Sequence, residues 1–142
     1  MLLKTFMNQQ EIVRMPMITI QPPYADLIAT GHKITENRNH LHPWQRLSGK
    51  WIGIHSGKSR AWMRTAGEIP DIPLHFGGVV AVARLFAVET LLAVASDDRF
   101  ADWKHHSHTH GPICLLLKDV QPIEFLPMQG YQGVWYVEGS LL

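Results

Sequence analysis

Hydrophobic and polar positions alternate along this chain in short runs separated by proline and glycine. Residues 17–20 form a β-prone run closed by Gln21-Pro22-Pro23. Tyr24, Leu27 and Ile28 then fall at the i, i+3, i+4 spacing of one helical face. A short helix is therefore predicted over 24–30, entered through proline and stopped at Gly31. Residues 34–38 alternate again, with Thr35 and Asn37 on one side and Ile34, Glu36 and Arg38 on the other. Residues 40–48 read as loop. In the next run Trp51, Gly53 and His55 oppose Lys50, Ile52 and Ile54. Residues 56–64 read as a short helix, and loop punctuated by Gly and Pro follows to Pro73. The longest strand-like run is 77–89, rich in Val and Ala, and able to bend around a barrel. Residues 91–100 fit either a turn or a short helix, while 113–120 and 133–137 give two further strands. No internal repeat is visible. Several short strands with two or three short helices predict an α+β fold, a small mixed β-barrel with short flanking helices.

Length and composition narrow this picture. A chain of 142 residues, 46% apolar and 18% charged, fits one globular domain. That domain is expected over 17–142, with 1–16 as a loosely held extension. The single cysteine, Cys114, excludes an internal disulfide and a Cys-based zinc knuckle. It lies in the apolar run 113–117 and reads as a buried, inert thiol in a reducing interior such as cytoplasm. No segment reaches the roughly 18–20 consecutive apolar residues of a membrane span. A soluble cytoplasmic protein without membrane contact is expected.

The net charge of +1 argues at first against a polyanionic partner, but it is a cancellation. Residues 1–70 hold nine Lys/Arg and four Asp/Glu, a net +5; residues 71–142 hold four and eight, a net −4. Between 33 and 64, seven basic residues stand against Glu36 alone, with Trp44, Trp51 and Trp62 among them. Basic groups mixed with aromatics suit single-stranded nucleic acid. The competing expectation is that the tryptophans are core, most clearly Trp51 inside its strand.

Three clusters could carry chemistry. Around Gln21 and residues 31–38, Lys33, Glu36 and Arg38 can flank one ligand, Arg supplying a donor fork and Lys a mobile charge. The plainer alternative is a surface ion-pair ladder. A second cluster, His55-Ser56-Gly57-Lys58-Ser59, suits a generic anion site but lacks the first glycine of a Walker loop. The third, 105–110, holds four histidines and is expected to be a mobile surface loop rather than a metal site. No metal and no cofactor are expected.

Read together, these segments resemble the ASCH domain (activating signal cointegrator homology) of the PUA-like superfamily. The matching pieces are Ile18-Thr19-Ile20-Gln21-Pro22, Gly31-His32-Lys33-Ile34-Thr35-Glu36-Asn37-Arg38 and Gly49-Lys50-Trp51-Ile52-Gly53-Ile54-His55-Ser56. Gly77-Gly78-Val79-Val80, Gly111-Pro112-Ile113-Cys114 and Gly130-Tyr131-Gln132-Gly133-Val134-Trp135 continue the order, so that it spans about residues 17–137.

The resemblance implies a β-barrel with a cleft lined by the Gln-Pro turn and the Lys-x-x-Glu-x-Arg strand. It implies RNA or nucleic-acid binding, with Gln21, Pro22, Lys33, Glu36, Arg38, His55, Ser56 and Lys58 as ligand-binding candidates. A nucleoside-like small molecule is an alternative ligand. Some members are enzymes, a ribonuclease and an amidohydrolase acting on acetylated cytidine. On that reading Lys33 and Glu36 would carry the chemistry, with Thr35 or Ser56 as a polarised hydroxyl. The amidohydrolase type places Thr three residues after its Lys; here Glu36 stands there, and the nearest threonine is Thr35. Binding module and hydrolase both stay open at this point.

Overall fold

The computed structural model describes residues 14–139. Most of the expected extension, residues 1–13, lies outside the described residues. Its last three residues, Arg14, Met15 and Pro16, belong to the first strand.

Six strands form one mixed sheet: β1 (Arg14–Ile20), β2 (Thr35–Arg38), β3 (Trp51–Ser56), β4 (Gly78–Thr90), β5 (Ile113–Pro127) and β6 (Trp135–Glu138). Their spatial order is β2-β5-β4-β3-β1-β6. No ladder joins the edge strands β2 and β6 among the described residues, so the sheet is open where a closed barrel is expected from the sequence. Short helices α1 (Tyr24–Ala29), α2 (Leu91–Ser96) and α3 (Ala101–Lys104) flank it.

Alternation along β1 sends Ile18 and Ile20 into the main core and Met15 and Met17 into a second cluster. Helix α1 closes the main core with Ala25 and Ile28, and also buries Leu27. Gly31, at φ +84°, turns the chain out of that helix in a conformation that suits glycine. A third cluster packs Val94, Phe100 and Trp103 of the 91–104 segment over Cys114 and Leu116 of β5. The segment left open between turn and helix thus contains α2, capped by Thr90, whose hydroxyl accepts from the Ala93 N–H at 3.2 Å.

Two lengths differ from the sequence pattern. The helix expected over 56–64 is one 3-10 turn, Ala61–Arg64, because Ser56 still belongs to β3 and the Gly57 N–H bonds the Ile20 carbonyl. Strand β5 runs to Pro127, beyond the expected 120. Its second half is polar and interrupted by Pro122, and it follows β4 through register shifts that blur any period of two.

One pairing matters most for function. Strands β1 and β3 run parallel, with Thr19 opposite His55 and Ile20 opposite Ser56. Both strands therefore end at the same edge, bringing Gln21 beside Gly57 and Lys58.

Candidate functional site

A cleft of about 1760 Å³ opens at that edge. The turn after β1, strand β2, the end of β3, the histidine segment and the 127–133 connection all contribute walls.

The charged face of β2 supplies its centre. Glu36 lies between two cations, 3.2 Å from Lys33 Nζ through Oε1 and 3.0 Å from Arg38 Nη2 through Oε2. Glu36 and Arg38 share a face because they are two apart on a strand. Lys33 joins them from the bend before β2, where its ammonium also donates to the Thr35 carbonyl and sits 5.6 Å from the Tyr24 ring. Its side chain is only 4% exposed, against 14% for Glu36 and 25% for Arg38. Lys33 therefore holds Glu36 in place, and Arg38 is the more accessible cation. The Arg38 guanidinium stacks 4.8 Å from Trp44, and its Nη2 also donates to the Thr19 carbonyl at 3.2 Å. Trp44, in a segment expected to be loop, is buried and forms the floor beneath this arginine.

His55 forms the second wall. Its Nε2 lies 2.7 Å from the Met128 carbonyl, which can only accept, so Nε2 carries the proton. Nδ1 is then the acceptor for the Thr19 hydroxyl at 3.2 Å, and that hydroxyl accepts in turn from the Trp135 indole N–H at 3.1 Å. Both ring nitrogens are committed, so His55 fastens the 127–133 connection to the sheet. Burial, opposed in part by the Met128 hydrogen bond, lowers its pKa, and the charge of Lys58 lowers it further. Gly130 lies against the same ring: a Cβ there would run into the imidazole and the Thr19 hydroxyl.

The Gln21 and Lys58 candidates meet at the third wall. Gln21 Oε1 accepts the Ser59 N–H at 3.1 Å, and a Cβ on Gly57 would overlap the Gln21 amide. Lys58 is exposed, its alkyl stem over Gly77. Two ligand candidates lie elsewhere. Ser56 is fully buried and donates to the His75 carbonyl at 2.7 Å, while Pro22 is buried beneath the turn.

Thr35 is also fully buried, its hydroxyl 2.8 Å from that of Thr109. Alternation points it away from Glu36, toward the histidine segment. Asn37, on the same side, donates to the His108 carbonyl at 2.8 Å and accepts the N–H groups of His110 and Gly111 at 3.0 and 2.9 Å. This segment is thus fastened to β2 by side chains, unlike the mobile surface loop expected. His108 faces the cleft, edge-on to Tyr24. Burial first, and then the Lys33 charge, lower the pKa of His106 and His108. Among the described residues no three His, Cys, Asp or Glu side chains are grouped to hold a metal ion.

Sequence reasoning passed over Thr19, Tyr24 and Asn37, and did not place His108 beside Lys33's cleft. Thr19 carried a faint signal, a lone polar residue in the apolar run 17–20. Asn37 carried none, because its partners lie more than seventy residues away in sequence.

No protein-family model and no curated protein matches the sequence. Among solved structures, the chain is similar to the ASCH protein of Zymomonas mobilis, at 18% identity and a TM-score of 0.48 over 86% of either chain. It is also similar to two mutant forms of that protein. One shows 19% identity and a TM-score of 0.49, covering 86% of this chain and 87% of that one. The other shows 18% and 0.48, covering 86% and 88%. These solved neighbours are ASCH proteins. No helix among the described residues is long and apolar enough to cross a membrane.

Proposed function

We propose that this chain is an ASCH-type nucleic-acid-binding domain whose cleft holds a nucleotide or a short RNA segment. The observation that carries this reading is the convergence of Lys33, Glu36 and Arg38 on one concave surface with Gln21 and Lys58. A surface ion-pair ladder would have spread them along the sheet. In the proposed complex Arg38 and Lys58 meet phosphate, where a donor fork and a mobile ammonium gain by counterion release. Glu36, held between two cations, accepts from a base amino group, and Gln21 offers an amide to a base edge. Lys33 keeps the carboxylate aimed.

Fluorescence anisotropy with labelled single-stranded RNA at low ionic strength tests this. Wild type is expected to bind, and Arg38→Gln and Lys58→Gln to bind more weakly. Absence of binding by wild type, or indifference to both changes, overturns it.

A hydrolytic activity on RNA or a modified nucleoside is the second reading, and His108 favours it. Its lowered pKa leaves an uncharged imidazole at neutral pH in the cleft that holds Lys33 and Glu36. The amidohydrolase form would need a hydroxyl other than that of Thr35, which is committed to Thr109. Incubation with labelled RNA and with N4-acetylcytidine, with and without chelator, decides it. Turnover that is lost in His108→Ala supports a hydrolase; no turnover by wild type leaves binding alone.

A further inference from the structure

Two large aromatic side chains of this cleft serve no core. Trp62 is 52% exposed and Tyr131 is 56% exposed, and both line the cleft that holds Lys33, Arg38 and Lys58. They come from separate segments, Trp62 from the 3-10 turn after β3 and Tyr131 from the connection between β5 and β6. Among the described residues the Trp62 indole makes no ring contact, cation contact or hydrogen bond. The turn that carries it is tied down from the preceding residue, where the Arg60 guanidinium lies 3.9 Å over the Phe76 ring. Tyr131 is held edge-on against Trp135, ring centroids 5.4 Å apart and planes at 72°, and Trp135 is itself bonded to Thr19. A T-shaped contact takes up at most one face of the tyrosine ring and leaves the other open.

Exposing two such rings costs hydrophobic free energy that burial would recover. The three tryptophans of the basic stretch divide accordingly, and only Trp62 lines the cleft. Trp44 is buried under Arg38, Trp51 is half-buried beside Arg84, and Trp62 alone faces outward. A planar ring in a basic cleft offers what a nucleobase stacks on, and every base has such a face.

We infer that Trp62 and Tyr131 are base-stacking positions, so that the ligand of this cleft is a single strand running past the Lys33–Glu36–Arg38 centre rather than a free nucleotide. This rests on the nucleic-acid reading above and adds the strand and its two stacking contacts. A duplex, whose bases are already stacked on one another, cannot use either ring. Stacking is insensitive to salt, whereas the contacts of Arg38 and Lys58 are not, and the two contributions separate experimentally.

The test measures binding of a labelled single-stranded RNA octanucleotide, its duplex and cytidine monophosphate to wild type, Trp62→Ala, Trp62→Phe, Tyr131→Ala, Tyr131→Phe and Arg38→Gln. The octanucleotide is expected to bind at least tenfold tighter than either other ligand. Trp62→Ala and Tyr131→Ala should each weaken it by roughly 5- to 100-fold with an unchanged salt slope, and each Phe variant should restore most of the loss. Cytidine monophosphate carries a single base, so no more than one of the two Ala variants should weaken its binding. If either Ala variant binds the octanucleotide within twofold of wild type while Arg38→Gln weakens it, the stacking inference is overturned and the cleft reading stands. If wild type binds none of the three ligands at low salt, both are overturned.

Discussion

Thr19 Oγ1 lies 3.2 Å from His55 Nδ1, across the parallel pairing of β1 and β3. That one contact gives direction to a chain of hydrogen bonds. The Trp135 indole donates to Thr19, Thr19 donates to His55, and His55 donates to the Met128 carbonyl. Through it the 127–133 connection, one wall of the cleft, is joined to the centre of the sheet.

Thr19→Val keeps the β-branched shape of the strand residue and removes only the hydroxyl. His55 Nδ1 and the Trp135 N–H then lose their partner in a largely buried setting. A loss of about 1–3 kcal/mol is expected in urea unfolding, since an unsatisfied buried polar group costs that much. An unchanged midpoint would show that the chain of bonds does not hold the wall.

Stability should also fall with acid. His55, His106 and His108 have pKa values lowered from the ordinary 6.5, in each case first by burial. The folded chain therefore binds these protons more weakly than the unfolded one, and the unfolded state takes them up first. Their contribution is complete above about pH 6.5 and is lost as pH falls from there through the folded values. Thermal melts between pH 8 and pH 5 should show Tm dropping below about 6.5, with a shallower drop in His55→Gln. A Tm that rises over that interval would contradict the assigned direction.

Gly57 separates ligand contact from folding. A methyl group at this position overlaps the Gln21 amide, and the obstacle is the end of a flexible side chain. Gly57→Ala should displace Gln21 from the Ser59 N–H with a stability change within about 1 kcal/mol. RNA affinity should fall with it. Full affinity in Gly57→Ala would remove Gln21 from the site.

Much of this was legible in the chain order. Strand alternation at 34–38 put Glu36 and Arg38 on one face with Lys33 beside them, and the structure adds that Glu36 is ion-paired to both cations. The helix before Gly31 followed from its spacing and its glycine stop. What escaped depends on contacts distant in sequence. Thr35 and Ser56 carry hydroxyls of the right chemistry, but their partners, Thr109 and the His75 carbonyl, are supplied by segments that no local pattern predicts to be near. The open sheet has the same origin. Whether the edge strands of a six-stranded sheet meet is decided by twist and register, to which hydropathy is blind. The histidine segment looked like a loop free in solvent because its anchor, Asn37, is an ordinary polar residue of a strand.

Net charge illustrates the same limit. A chain total of +1 conceals a basic stretch, and the fold sets Lys33, Arg38 and Lys58 of that stretch around one cleft. The most direct measurement is the salt dependence of single-stranded RNA affinity for wild type and for Arg38→Gln. Wild-type affinity should fall linearly on a log–log plot, by about 0.7 per phosphate contact, and Arg38→Gln should lower that slope by about one contact. Affinity independent of salt, or a slope unchanged in Arg38→Gln, would contradict phosphate recognition by this cleft.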